Sequence, residues 1–109
     1  MTTEAPNPFA DPLKDVRHTP EVQALFMHLQ TSRNRLAALS IAGSTGIEYD
    51  EATADYTDAY TATADLYASA MRRNQLPEVA VTILIEAAAT EEKARFQQLE
   101  EGLRQASDR

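Results

Sequence analysis

The stretch Tyr49 to Asn74 constrains this chain most. Set on a helix at about 100° per residue, it divides into two stripes. Tyr49, Tyr56, Tyr60 and Tyr67 fall on one line, with Ala52, Thr53, Thr63, Ala70 and Met71 beside them. Glu51, Asp55, Asp58 and Asp65 fall on the opposite line. All four tyrosines of the protein lie on this one helix. A segment with one amphipathic tyrosine face and one acidic face needs packing partners, and the segments on either side supply them.

The first partner starts at Thr19-Pro20-Glu21. Thr19 suits the N-cap, Pro20 the first helical position, and Glu21 the positive end of the helix dipole. Val22, Leu25, Phe26, Leu29, Leu36 and Leu39 then recur at three and four, up to the Gly43-Ser44-Thr45-Gly46 turn. The second partner follows Asn74-Gln75-Leu76, a link so short that it makes antiparallel neighbours of the helices it joins. From Val79 to Ala89 this last segment is apolar nearly all round. Beyond Thr90 it narrows to a seam of Phe96, Leu99, Leu103 and Ala106. The predicted fold is all-α: an up-down-up bundle with helices over about 20–42, 49–75 and 77–106. Pro77 opens the third helix, and Asp50 caps the second.

Ahead of the bundle, residues 1–18 read as a proline-rich arm, either flexible or extended over the domain surface, leaving 19–109 as the single domain. Pro6, Pro8 and Pro12 oppose helix there, and Phe9, Leu13 and Val16 are too few for a core. Asn7-Pro8-Phe9 and Asp11-Pro12-Leu13 have the form of short turn motifs that present an apolar side chain to a pocket.

Charge and composition exclude several functions. The net charge is −7, and no Lys or Arg occurs from Leu36 to Met71. Phosphate backbones and anionic lipid are therefore poor partners, so neither nucleic acid nor membrane binding is expected. No apolar run reaches the length of a membrane span, and the N-terminus has no secretory signal, which points to the cytoplasm. With no cysteine, disulfides and thiolate chemistry are out. His18 and His28 have no carboxylate or second histidine at helical metal-site spacing, and Glu86 points away from Glu92 on a wheel. Ser32, Ser40 and Ser44 have no histidine placed by a recognisable motif. No cofactor, metal or catalytic constellation is expected, and the chain reads as a non-enzyme. Its arginine and alanine bias suggests a GC-rich bacterial or phage genome. Length and charge are similar to those of the WXG family of small helical-hairpin effectors. The inter-helix turn, however, carries no Trp-x-Gly, and none of the four tyrosines has an acid four residues later.

Two polar residues interrupt the apolar stripes: Arg33, between Leu29 and Leu36, and Glu92, inside the third helix's seam. Each lies about halfway along its helix, as does Tyr60. An inward arginine demands a carboxylate, since a buried charge left alone costs several kcal/mol. The expected arrangement is a polar layer of Arg33, Glu92 and the Tyr60 hydroxyl. That layer either fixes register or lines a pocket for a small anionic or aromatic ligand. The stripe of Tyr49, Tyr56 and Tyr67 is either core or an intermolecular surface, since a phenol suits a face that is apolar on one side and wet on the other. Val79 and Ile83 fall opposite Val81, Ile85 and Ala88, where a lone bundle would leave them bare. Burial against a second copy in a symmetric homodimer, or under the N-terminal arm, resolves that.

The leading functional expectation is a small acidic protein-interaction module, an adaptor or regulator, acting as a homodimer. Glu51, Asp55, Asp58 and Asp65 would offer a site to a basic partner or form a plain solvated face. The alternatives are a small-molecule binding module with Tyr56, Tyr60, Tyr67 and Arg33 around its pocket, and an acidic nucleic-acid mimic that inhibits a DNA-binding protein.

Overall fold

The computed structural model describes residues 12–108. The Asn7-Pro8-Phe9 motif and Asp11 lie outside them. Helices α1 (Pro20–Ile41), α2 (Ile47–Arg73) and α3 (Glu78–Ser107) follow in order, with no strand among the described residues. Each packs against the other two. Cross-helix hydrogen bonds give the directions. Arg17 reaches Tyr67 and Arg35 reaches Asp55, so α2 runs back along α1. Arg33 reaches Glu92 and Ser40 reaches Glu100, so α3 runs with α1.

The starts of the helices follow local chemistry. Pro20 occupies the first turn of α1 after an extended Thr19. The Thr19 hydroxyl does not cap the helix; it donates to the Val16 carbonyl at 2.7 Å. α2 begins two residues earlier than Tyr49, and Asp50 is not its cap. Gly46 holds that place, with φ 94° and ψ −155°, a conformation glycine alone adopts without strain. Asp50 and Glu48 stand in the first turn, where the helix dipole favours acids. Pro77 precedes α3 as its N-cap, extended at ψ 150°. Both connections use the same C-terminal device, a left-handed residue that lets two amides reach back to orphan carbonyls. At the end of α1 the residue is Gly43 (φ 70°), with Gly43 bonded to Ser40 and Ser44 to Leu39. At the end of α2 it is Gln75 (φ 64°), with Gln75 bonded to Arg72 and Leu76 to Met71.

Residues 12–18 fall in the stretch expected to be a flexible arm or one extended over the domain surface, and they lie packed against the helices. Leu13 is fully buried, in one cluster with Val22 and Ala70 and against Val16, Phe26, Leu66 and Tyr67. The turn is stitched by Val16 and Arg17 amides to the Leu13 carbonyl, and Asn74 donates to the Pro12 carbonyl at 3.3 Å. One leucine cannot make a core of its own, but it can fill the hole where the start of α1 meets the end of α2.

The apolar burial is uneven. α1 buries Val22, Leu29, Ser32, Leu36 and Ala37; α2 buries Ala52, Ala59, Thr63, Ala70 and Met71. Small residues on α2 let α1 approach closely. α3, the longest helix, buries only Val81 and Glu92.

Candidate functional site

Glu92 is the polar centre of the molecule. It retains 7% of its surface, and its seam position on α3 turns it toward α1 and α2. Arg33 meets it in a two-pronged pair, Nε to Oε2 and Nη2 to Oε1, both at 2.6 Å. A planar guanidinium matches a carboxylate this way, and charge-assisted bonds of this kind are the strong ones. The third member is the Tyr56 hydroxyl, which donates to Glu92 Oε2 at 2.7 Å. Tyr60, assigned that place from the sequence, does not make this bond. The Tyr56–Phe96 and Arg72–Glu78 contacts set the register of α2 on α3. They put Glu92 level with about residues 58–60 of α2, nearer Tyr60, so the bond from Tyr56 is set by the direction of its side chain and not by level.

The three groups shift one another's protonation. Burial alone would raise the Glu92 carboxyl; the hydrogen bonds from Arg33 and then Tyr56 outweigh it and hold the group below the ordinary carboxylate value. The bond to Glu92 raises Arg33 further. Burial first, and the bond to the Glu92 carboxylate second, push the Tyr56 phenol well above its usual value. At neutral pH the cluster is therefore one cation, one anion and one neutral donor. Among the described residues no buried side-chain polar atom lacks a partner.

Two open clefts flank this cluster. One, of about 360 Å³, is lined by Tyr56, Tyr60, Ala89, Glu92, Lys93 and Phe96. Its wall is the stacked Tyr56–Phe96 pair, with ring centroids 5.6 Å apart. The other, of about 240 Å³, lies toward Phe26, Tyr67, Ile85 and Arg95. Tyr60 and Glu92 border both.

The remaining residues singled out from the sequence scatter. Tyr67 accepts a hydrogen bond from Arg17 at 3.1 Å and its ring lies 6.4 Å from that of Phe26, so it belongs to the plugged end. Tyr49 is half-buried near the start of α2. Tyr56 and Tyr67 thus turn to hydrogen bonds and ring contacts within the chain, while Tyr60 borders both clefts, and all four tyrosines stay partly exposed. Glu51, Asp55, Asp58 and Asp65 are all exposed, and Asp55 pairs with Arg35 across to α1 at 3.2 Å. Val79 and Ile83 keep 67% and 59% of their surface. Phe96 and the Ser40–Glu100 bond (2.7 Å) were not singled out as site residues. Phe96 stood only as one apolar member of the seam, and nothing in the spacing of Ser40 marks it.

Among the described residues no group of three or more His, Cys, Asp or Glu could hold a metal ion, and no helix is long and apolar enough to cross a membrane. The chain matches no family model, no curated protein and no solved structure.

Proposed function

We propose that this is a small acidic, cytoplasmic protein-interaction module, an adaptor or regulator that binds other proteins, itself first, rather than transforming a substrate. The observation that carries the reading is the bare apolar surface of α3. The helix turns Val81 and Glu92 inward and leaves Val79 and Ile83 in water. Water-exposed apolar patches of this kind mark surfaces that meet a partner. The exposed acids Glu51, Asp58 and Asp65 of α2 offer a second, charged surface to a basic protein. Solution mass by light scattering over a dilution series tests the reading. A mass near twice 12.0 kDa supports it. A monomer that captures no protein through this surface opposes it.

The cleft beside Tyr56 and Phe96 favours a second reading, a binding site for a small planar ligand. Its lining is aromatic and apolar, with the Lys93 amine to take an acidic group. Melting temperature across a panel of aromatic carboxylates tests this, because a ligand held only by the folded state raises it.

A further inference from the structure

Resting on the reading of the protein as a self-associating module, we propose that two copies dock antiparallel along the outer face of α3. The seam is Ala80, Ile83, Ala87, Thr90, Ala94 and Gln97, and Glu86 of each copy pairs with Lys93 of the other. The inward turn of Glu92 fixes which way α3 faces, so the side opposite it is the outer one. These six residues lie on that side. Their spacing alternates three and four, the repeat that keeps a seam facing a partner helix along its length. Ile83, Ala87, Thr90 and Ala94 are exposed, and Val79 flanks them.

Charge selects the occupant and its direction. α3 carries three cations. Arg95 pairs with Glu91 at 3.0 Å and Arg104 with Glu101 at 3.4 Å, both within the helix. Lys93 makes no ion pair among the described residues, nor does the Glu86 carboxylate, and both are exposed on one flank of the seam. A two-fold axis between Ala88 and Ala89 sets Ile83 against Ala94 of the second copy and Ala87 against Thr90 of the second copy. The large residue meets a small one at each end, and small residues at the centre allow close approach. The same axis brings Glu86 beside Lys93 of the second copy, twice by symmetry, as an isologous interface requires. A parallel pair would instead set Glu86 near Glu91 of the second copy, placing like charges together.

Sedimentation equilibrium on the full chain tests this with five proteins: wild type, Lys93→Glu, Glu86→Lys, the double charge exchange, and Ile83→Glu. All three positions are exposed, so far-ultraviolet dichroism should match the wild type in every variant. Each single charge reversal is expected to weaken the dimer about tenfold, and the double exchange to recover nearly all of it. Ile83→Glu should be monomeric. A wild-type dimer that none of these variants weakens would overturn the α3 seam while leaving self-association through another surface intact. A double exchange as weak as the single reversals would overturn the pairing. A wild-type monomer would overturn the seam and the self-association together.

Discussion

The α1–α2 hairpin and α3 are held by different physics. The hairpin meets through a file of buried, mostly small and apolar residues, closed at one end by Leu13. α3 is longer than either partner but fully buries only Val81 among its apolar residues, with Ile85, Phe96 and Leu99 partly covered, and its midpoint is tied down by a carboxylate. Apolar packing is tolerant, because neighbours of similar volume substitute for one another. A two-pronged ion pair completed by a phenol is satisfied in one register only. A paired buried charge adds little net stability, yet removing one partner is costly. The polar cluster thus specifies where α3 lies while leaving most of its surface available to something else.

The sharpest break in this comparison is Glu92→Leu. It strands Arg33, and chemical denaturation should show a loss of about 3–5 kcal/mol, somewhat less if Arg33 swings to solvent. The companion Arg33→Met/Glu92→Leu should regain most of that stability, since an apolar pair of similar volume replaces a buried ion pair without loss. Glu92→Leu behaving like the double variant would show that the pair specifies nothing. On the hairpin side, Leu13→Ala should cost about 2–5 kcal/mol by leaving a hole in the plugged end. A cost typical of a surface change, under about 0.5 kcal/mol, would return residues 12–18 to the status of a loose arm. Next in size is Tyr56→Phe, which removes one donor from the Glu92 carboxylate and should cost about 1.5–3 kcal/mol. Tyr60→Phe serves as its control and should be nearly silent.

The smallest effect is on the pH profile. The Glu92 carboxyl titrates lower in the folded state than in the unfolded one. Its contribution is therefore present above the unfolded value, about 4.3, and is lost as pH falls through the folded value. Tyr56 titrates higher when folded, so its contribution is present below about 10 and is lost as pH rises beyond that. The double variant Arg33→Met/Glu92→Leu should flatten the acid limb relative to wild type in urea titrations. An unchanged limb would mean that the carboxyl is not held low by its partners.

Parts of this arrangement were legible in the residues alone. Arg33 and Glu92 stand out because a charge inside a three-four apolar pattern must be paired if it faces inward. Helix positions were legible from Thr19-Pro20, the glycine-bounded turn and the short Asn74-to-Pro77 link. Tyr56 was not separable from Tyr60 by pattern, because the two stand one turn apart on the same stripe and the one nearer halfway along the helix is not the one that makes the bond. The start of α2 was hidden because Gly46 caps it through backbone conformation, while Asp50 resembles a cap by side chain. Leu13 was half legible: the Asp11-Pro12-Leu13 turn marks a side chain offered to a pocket, but a single leucine among prolines has no periodicity to show that the pocket is the chain's own.

Amide hydrogen exchange at a low and a high protein concentration tests the central contrast most directly. Exchange reports local opening, segment by segment. The account predicts that amides from Val22 to Ala37 and from Ala52 to Met71 are the slowest at both concentrations. Those of α3 should be faster in dilute solution, and the segment Ala80 to Ala94 alone should slow as concentration rises. An α3 as slow as the hairpin at both concentrations would contradict it, showing a third helix fully held within one chain and no second copy on its outer face.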